Sequence, residues 1–359
     1  MVKETVKHLN PYVPEVTLTE LKQRYGLDRL VRLSANENAF GTSADVVKAL
    51  DSWHYADANL YPDSNAEQLR SLISTRFNLN PDNLIFGNGL DELIELLSRV
   101  ILSPGDEVLE PATTFSEYQL HAQIEGAKLR PIDLDDSGRI NLAAFMREVN
   151  DKTKLVWICN PNNPTGTFIA PEAIEKFMAD LPTTVTVVVD EAYIEFTGEK
   201  KASVIQLTKR YPNLVVLRTF SKVYGLANFR IGYAACTGPL IAYLQAARLP
   251  YNLSTFAEIA AKAAFSDTDF IDQVVDTVIS ERKKWEHFLM KSGLLFYDSA
   301  ANFIFFQVKG GDADGLYEYL LKNGYLVRNG LRAGWLRITI GKPEDNQAVQ
   351  DLIAAFLTK

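Results

Sequence analysis

The apolar residues of this chain fall into short β-branched runs separated by longer stretches of helical period. Leu84 to Phe86, Glu107 to Glu110, a short run at Leu129, Leu155 to Cys159, Thr184 to Val189, Leu214 to Leu217 and Ile231 to Cys236 read as strands. Val187-Val188-Val189 has no polar residue to alternate with, the pattern of a strand buried on both faces. Around these runs, Asn65 to Phe77, Leu90 to Ile101, Phe115 to Gly126, Leu142 to Val149 and Pro171 to Met178 read as helices, the last with proline in its first turn. Strands alternating with helices predict an α/β fold with a mostly parallel sheet covered on both faces. Ligands of such sheets sit outside the carboxyl ends of the strands. Gly87, Asn163, Asp190 and Lys222 each fall just past a predicted strand end, so the pattern predicts one shared site.

The two ends of the chain read differently. The first thirty residues mix Pro11, Pro14 and Gly26 with a short helical pattern from Thr19 to Arg24, and a helix capped near Ser43 runs to about Trp53. Long helical patterns span Pro239 to Lys291. They are followed by a strand from Asn302 to Val308, a helix from Ala313 to Asn323, strands near Tyr325 to Arg328 and Trp335 to Ile340, and a closing helix from Pro343 to Leu357. The expected organisation is an N-terminal arm (1–35) that contributes to a smaller α+β domain (246–359), and a large α/β domain (36–245).

Charge and composition narrow the partners. With 37 Lys and Arg against 45 Asp and Glu the net charge is −8, which makes nucleic acid a poor partner. An anionic ligand would have to be held by local arginines and helix N-termini. No apolar run approaches the roughly 18 residues of a membrane span. The first residues lack the apolar core of a secretory signal, so a cytoplasmic setting is expected. There Cys159 and Cys236, both in predicted strands, are expected as buried thiols. No metal site is expected.

The chemistry centres on Thr219 to Arg230. Lys222 stands at the mouth of a strand, flanked by hydroxyls, with Arg230 eight residues on. A lysine amine of lowered pKa forms Schiff bases, and arginine suits a phosphate. Taken alone, the same pattern fits a surface-loop lysine. Gly87-Asn88-Gly89-Leu90-Asp91-Glu92 links a strand to a helix; its glycines allow a sharp turn, and the helix N-terminus offers N–H groups to an anion. Glu92 stands where a dinucleotide fingerprint needs its third glycine, so a phosphate cradle or a plain tight turn fits better. Asn160 to Gly166 is dense in turn formers, and an Asn amide there can donate to a phenolate-like oxygen. Asp190 ends the valine run, where a carboxylate is costly unless paired. It suits a cap or salt bridge, or a pyridine nitrogen that it would keep protonated, making the ring an electron sink.

Together GNGLDE, NPNNPTG, DEAY, TFSK and RIGY, in this order and spacing, resemble the fold-type I pyridoxal-phosphate aminotransferases of class I and II. SANENAFG, NLYPD and WLRITIG extend the resemblance over nearly the whole chain and narrow it to the histidinol-phosphate aminotransferase branch. The resemblance implies ping-pong transamination of L-histidinol phosphate and 2-oxoglutarate to imidazole-acetol phosphate and L-glutamate, in histidine biosynthesis. It implies that Lys222 carries the cofactor as a Schiff base and shuttles the proton. Asp190 would pair with the ring nitrogen, Asn163 and Tyr193 would bond the ring oxygen, and Phe115 would stack on the ring. Leu90, Asp91, Thr219, Ser221 and Arg230 would hold the cofactor phosphate, with Tyr61 reaching it from the partner of a homodimer. Arg337 would take the carboxylate of glutamate or the substrate phosphate, with Arg328, Tyr12 and Asn36 helping; Arg332 is the alternative to Arg328. Val223, Asn228-Phe229 and Ala39 depart from the usual pattern without removing a reactive group. A threonine-phosphate decarboxylase and an aromatic amino acid aminotransferase of the same fold are the alternatives.

Overall fold

A computed structural model describes residues 2–11 and 14–358. In chain order they form α1 (Leu18–Tyr25), β1 (Val31–Arg32), α2 (Ala44–Asp51), α3 (Glu67–Phe77), β2 (Leu84–Gly87), α4 (Gly89–Ile101), β3 (Glu107–Pro111), α5 (Glu117–Glu125) and β4 (Lys128–Ile132). There follow α6 (Leu142–Glu148), β5 (Thr153–Cys159), α7 (Pro171–Asp180), β6 (Thr186–Asp190), β7 (Leu214–Thr219), β8 (Gly232–Cys236) and α8 (Leu240–Ala247). The chain closes with α9 (Thr255–Ser266), α10 (Thr268–Lys291), β9 (Phe303–Gln307), α11 (Ala313–Lys322), β10 (Tyr325–Leu326), β11 (Trp335–Thr339) and α12 (Pro343–Leu357).

Seven strands make one sheet in the order β2-β8-β7-β6-β5-β3-β4. β3 to β7 pair in parallel, and β8 runs antiparallel to both its neighbours. The continuous apolar runs form the centre: Leu155 to Ile158, Val187 to Val189 and Leu214 to Leu217 have no exposed surface. Because β2 also opposes β8, the carboxyl ends of β2, β3, β5, β6 and β7 share one edge. In that edge Cys159 lies opposite Asp190, and Thr219 lies opposite Gly232.

The ends of the chain come together in smaller ladders. β9 and β11 pair antiparallel, and β1 pairs with β10 in parallel. Thr339 donates its N–H to the Leu33 carbonyl (2.9 Å), so residues 31–36 are stitched to the last part of the chain.

Several boundaries differ from the sequence expectation, for local reasons. α3 starts at Glu67 because Ala66 is left-handed (φ 51°) and the Asp63 carboxylate accepts the N–H groups of Asn65 and Glu67. α5 starts at Glu117, which leaves Phe115 in the loop after β3. The long helical stretch after Pro239 is broken at Asp267, whose carboxylate accepts the Phe270 N–H (3.1 Å) as the cap of α10. The strand expected near Tyr325 to Arg328 contracts to two residues, and Arg328 rejoins the ladder as a single bridge to Arg337.

Candidate active site

A cavity of about 220 Å³ opens at the carboxyl edge of the sheet, between the ends of β5, β6 and β7 and the start of α4. Lys222, Asp190, Asn163, Tyr193, Phe115, Thr219, Ser221, Leu90, Asp91 and Arg230 all line it. These are ten of the fifteen residues the sequence singled out for a site; Asn36 and Arg337 bond to two of them from behind the lining.

Lys222 sits in the loop joining β7 to β8. The antiparallel pair Thr219 and Gly232 closes that loop, and Phe220 N–H donates to the Ile231 carbonyl (3.1 Å). The Thr219 hydroxyl oxygen accepts the Ser221 N–H (3.0 Å), turning the chain at the strand end. Gly225 then takes φ +69° with its missing Cβ 1.9 Å from the Gly41 carbonyl oxygen, an approach that no other residue permits. So held, Lys222 Nζ donates to the Ala35 carbonyl (3.1 Å) and lies 5.7 Å from the centre of the Tyr193 ring. Burial lowers its pKa to about 8, and the charge of Arg337 adds to the effect. Much of the cost of deprotonating the amine near neutral pH is thereby removed.

Asp190 is 3% exposed, and both its oxygens are held. Oδ2 accepts the Tyr118 hydroxyl (2.6 Å) and Oδ1 accepts the Ala192 N–H (3.0 Å). Burial raises its pKa to about 6, against the lowering effect of the Tyr118 hydrogen bond. Tyr118 is fully buried, stacked on Trp157 at 4.5 Å and edge-on to Phe115 at 5.7 Å. Sequence reasoning passed over Tyr118, although its place three residues after Phe115 was a usable sign that the two rings could meet.

The end of the cavity at α4 is rich in donors. The first N–H groups of α4 have no carbonyl partner within the helix. Arg230, itself left-handed (φ 52°), lays its guanidinium across that terminus and donates to Asp91 Oδ2 (2.9 Å). A Cβ on Gly89 would lie 2.4 Å from Arg230 Nη2, so the second glycine of GNG makes room for the arginine. Two hydroxyls, a guanidinium and a helix N-terminus are the donor set that a phosphate group requires.

The opposite wall is a buried polar chain. Tyr193 Oη accepts from Asn36 Nδ2 (3.1 Å) and Asn163 Nδ2 (3.2 Å). Asn163 Oδ1 accepts from Arg337 Nη1 (2.5 Å), and Arg337 Nη2 donates to the Ser34 carbonyl (2.6 Å). Arg337 is 6% exposed and its Nε has no partner. Burial lowers its pKa to about 10, so it remains a cation that wants an anion. Asn36 (φ 56°) is fixed by its N–H on Thr339 Oγ1 (3.0 Å) and by Asn302 Nδ2 on its carbonyl (3.1 Å).

Arg328 pairs with Arg337 through both backbone hydrogen bonds (3.0 and 2.9 Å), and its side chain holds Glu15 (3.0 Å). Arg332 turns elsewhere, donating to the Tyr297 hydroxyl (2.6 Å) and lying over Trp335. Arg328 is therefore the arginine beside Arg337. Tyr61 does not line the cavity: it is 80% exposed and stacks on Tyr251 at 4.6 Å. Tyr12 lies outside the described residues. Among the described residues no His, Cys, Asp and Glu cluster has the makings of a metal site.

Residues 28–353 match the family model for aminotransferase class I and II. The histidinol-phosphate aminotransferase of Lactiplantibacillus plantarum is 46% identical over 356 residues, 99% of each chain. That of Limosilactobacillus fermentum is 45% identical over 359 residues, again 99% of each. The crystal structure of histidinol-phosphate aminotransferase from Sinorhizobium meliloti in complex with pyridoxal-5'-phosphate superposes with a TM-score of 0.86 at 27% identity, covering 99% of this chain and 95% of that one.

Proposed function

The chain belongs to the class I and II aminotransferases, and on that premise we propose that it transfers an amino group between L-histidinol phosphate and 2-oxoglutarate, giving imidazole-acetol phosphate and L-glutamate in histidine biosynthesis. Its fold is the α/β architecture of fold type I, and its cofactor is pyridoxal 5'-phosphate. The observation that carries the reading is a single cavity lined by an amine of lowered pKa, a buried carboxylate and a phosphate-type donor set, beside a buried arginine with a free Nε.

The residues present fit the cofactor: Gly89 leaves the cradle open for Arg230, and the donors around it match a phosphate. When bound, the cofactor supplies an aldehyde that condenses with amines and a protonated ring that accepts the electron pair from the broken Cα–H bond. Lys222 would take the proton from the substrate Cα and deliver it to the cofactor's C4′ carbon, a task suited to an amine that titrates near neutrality. Asp190 keeps its charge toward the ring nitrogen, with Tyr118 and the Ala192 N–H fixing its orientation. Asn163 and Tyr193 meet the ring oxygen, and Phe115 covers one face. Leu90, Asp91, Thr219, Ser221 and Arg230 hold the cofactor phosphate. Arg337, with Arg328 and Asn36 beside it and Tyr12 from the arm, holds the substrate phosphate or the glutamate carboxylate in turn.

The working unit in this reading is a cytoplasmic homodimer. Exposed Tyr55, Leu60, Tyr61, Tyr243 and Leu249 supply an apolar surface that a second copy would cover, with Tyr61 reaching the partner's cofactor phosphate. Residues 36–245 would act as one lobe, and the arm with 246–359 as the other.

The test is one half-reaction of the loaded dimer. Adding L-histidinol phosphate without a keto acid should discharge the visible band of the cofactor, and 2-oxoglutarate should restore it. A band that persists with histidinol phosphate but is discharged by an aromatic amino acid would overturn the substrate assignment. Carbon dioxide release from O-phosphothreonine would overturn the reaction type.

A further inference from the structure

The N-terminal arm places a carboxylate on the arginine assigned to the substrate phosphate. Glu15 Oε1 accepts from Arg328 Nη1 (3.0 Å), and Oε2 accepts from Arg32 Nη2 (2.8 Å). Arg32 Nη1 in turn donates to Glu37 (3.3 Å), which lines the cofactor cavity. Charges thus alternate from the arm to the cavity: Arg328, Glu15, Arg32, Glu37. Without Glu15, Arg328 and Arg337 would face each other across one backbone bridge as two like charges. Arg328 already pulls the Arg337 pKa down, and Glu15 opposes that effect.

This contact is built to be exchanged. The side chains of Arg328 and Glu15 are 43% and 47% exposed, and ion pairs so exposed are weak. Arg337 differs: it is buried and bonded to Asn163 and Ser34. An incoming carboxylate carries one charge and can be held by Arg337 alone. An incoming phosphate carries up to two charges and three acceptor oxygens, enough to span both guanidiniums and expel the carboxylate already on one of them.

We propose that Glu15 is a positioning residue: its carboxylate stands in for an anion on Arg328 and holds that guanidinium in place until the substrate phosphate displaces it. The proposal rests on the assignment of Arg328 and Arg337 to the substrate anion made above. It reduces the population ready for phosphate, and removing the carboxylate abolishes that reduction.

The test uses steady-state kinetics of the loaded enzyme with L-histidinol phosphate, and with L-glutamate in the reverse direction, for Glu15→Gln, Arg328→Gln and the double variant. Glu15→Gln should lower the KM for histidinol phosphate by about three- to fivefold, with the change confined to KM. The KM for glutamate should stay put. In the Arg328→Gln background the Glu15 substitution should change nothing, since its effect runs through that arginine. A Glu15→Gln enzyme whose KM rises for both substrates would show that Glu15 only anchors the arm, and would overturn the proposal. If Arg328→Gln raises the KM for histidinol phosphate but Glu15→Gln does not lower it, the stand-in role falls alone. If Arg328→Gln leaves that KM unchanged, the anion assignment itself falls.

Discussion

At Asp190 both carboxylate oxygens are held by donors that water does not reach, whereas at Arg328 the guanidinium is held by a carboxylate that is itself nearly half exposed. The first arrangement sits on the sheet: β6 delivers Asp190, β5 delivers its register partner Cys159, and Trp157 stacks under Tyr118. The second hangs between a two-residue strand and an arm that has no ladder of its own. A buried, fully paired group keeps one orientation, because leaving any of its partners unpaired is costly. An exposed ion pair gives up its partner readily. The buried carboxylate is thus fixed, and the exposed Glu15–Arg328 pair is exchangeable.

Arg337 is the exception on the substrate side, being buried, and it should show the largest effect. Arg337→Gln removes charge-assisted bonds to either anion, and should raise KM by about one hundredfold for histidinol phosphate and glutamate alike. An effect on one substrate only would mean that the two anions do not share this guanidinium. Tyr118→Phe should come next, with kcat down about tenfold. Its hydrogen bond lowers the Asp190 pKa, so its loss should carry that group above about 6 and move the acid limb of the kcat/KM profile to higher pH. A smaller rate with an unmoved acid limb would reduce Tyr118 to packing. The smallest effect should come from salt. Raising ionic strength from about 0.05 to about 0.5 M should raise the KM for histidinol phosphate by about two- to threefold while the acid limb stays in place, because only the exposed groups are screened.

What could be read from the sequence follows the same division. The valine run before Asp190 and the apolar run before Thr219 announce buried parallel strands, and residues just past such strands must face the ligand edge. Lys222, Asp190 and Asn163 were therefore legible as neighbours although they are far apart in the chain. Phe115 entered the site only through the family resemblance and was given to a helix, since the helical period does not reveal that the loop runs to Ser116. The Ala35 carbonyl that receives Lys222 left no trace, because a backbone acceptor has no side-chain signature. Glu15 was also hidden: its partners lie on β1 and near β10, and nothing local says which carboxylate of an irregular arm will meet them. Between Arg328 and Arg332 the sequence left a choice, which the bridge to Arg337 and the Tyr297–Trp335 stack separate.

The Lys222 amine is received by a carbonyl 187 residues earlier, and Asn36 beside it is fixed by partners 266 and 303 residues later. On the ribosome, which releases a chain from its N-terminus, the sheet and the Lys222 loop emerge well before residues 302–339 exist. The wall formed by Asn36, Tyr193 and Arg337 therefore cannot assemble on a growing chain. Completing the wall on the substrate side belongs to the finished polypeptide, and a chain cut short before residue 337 lacks that guanidinium however much of its sheet has folded.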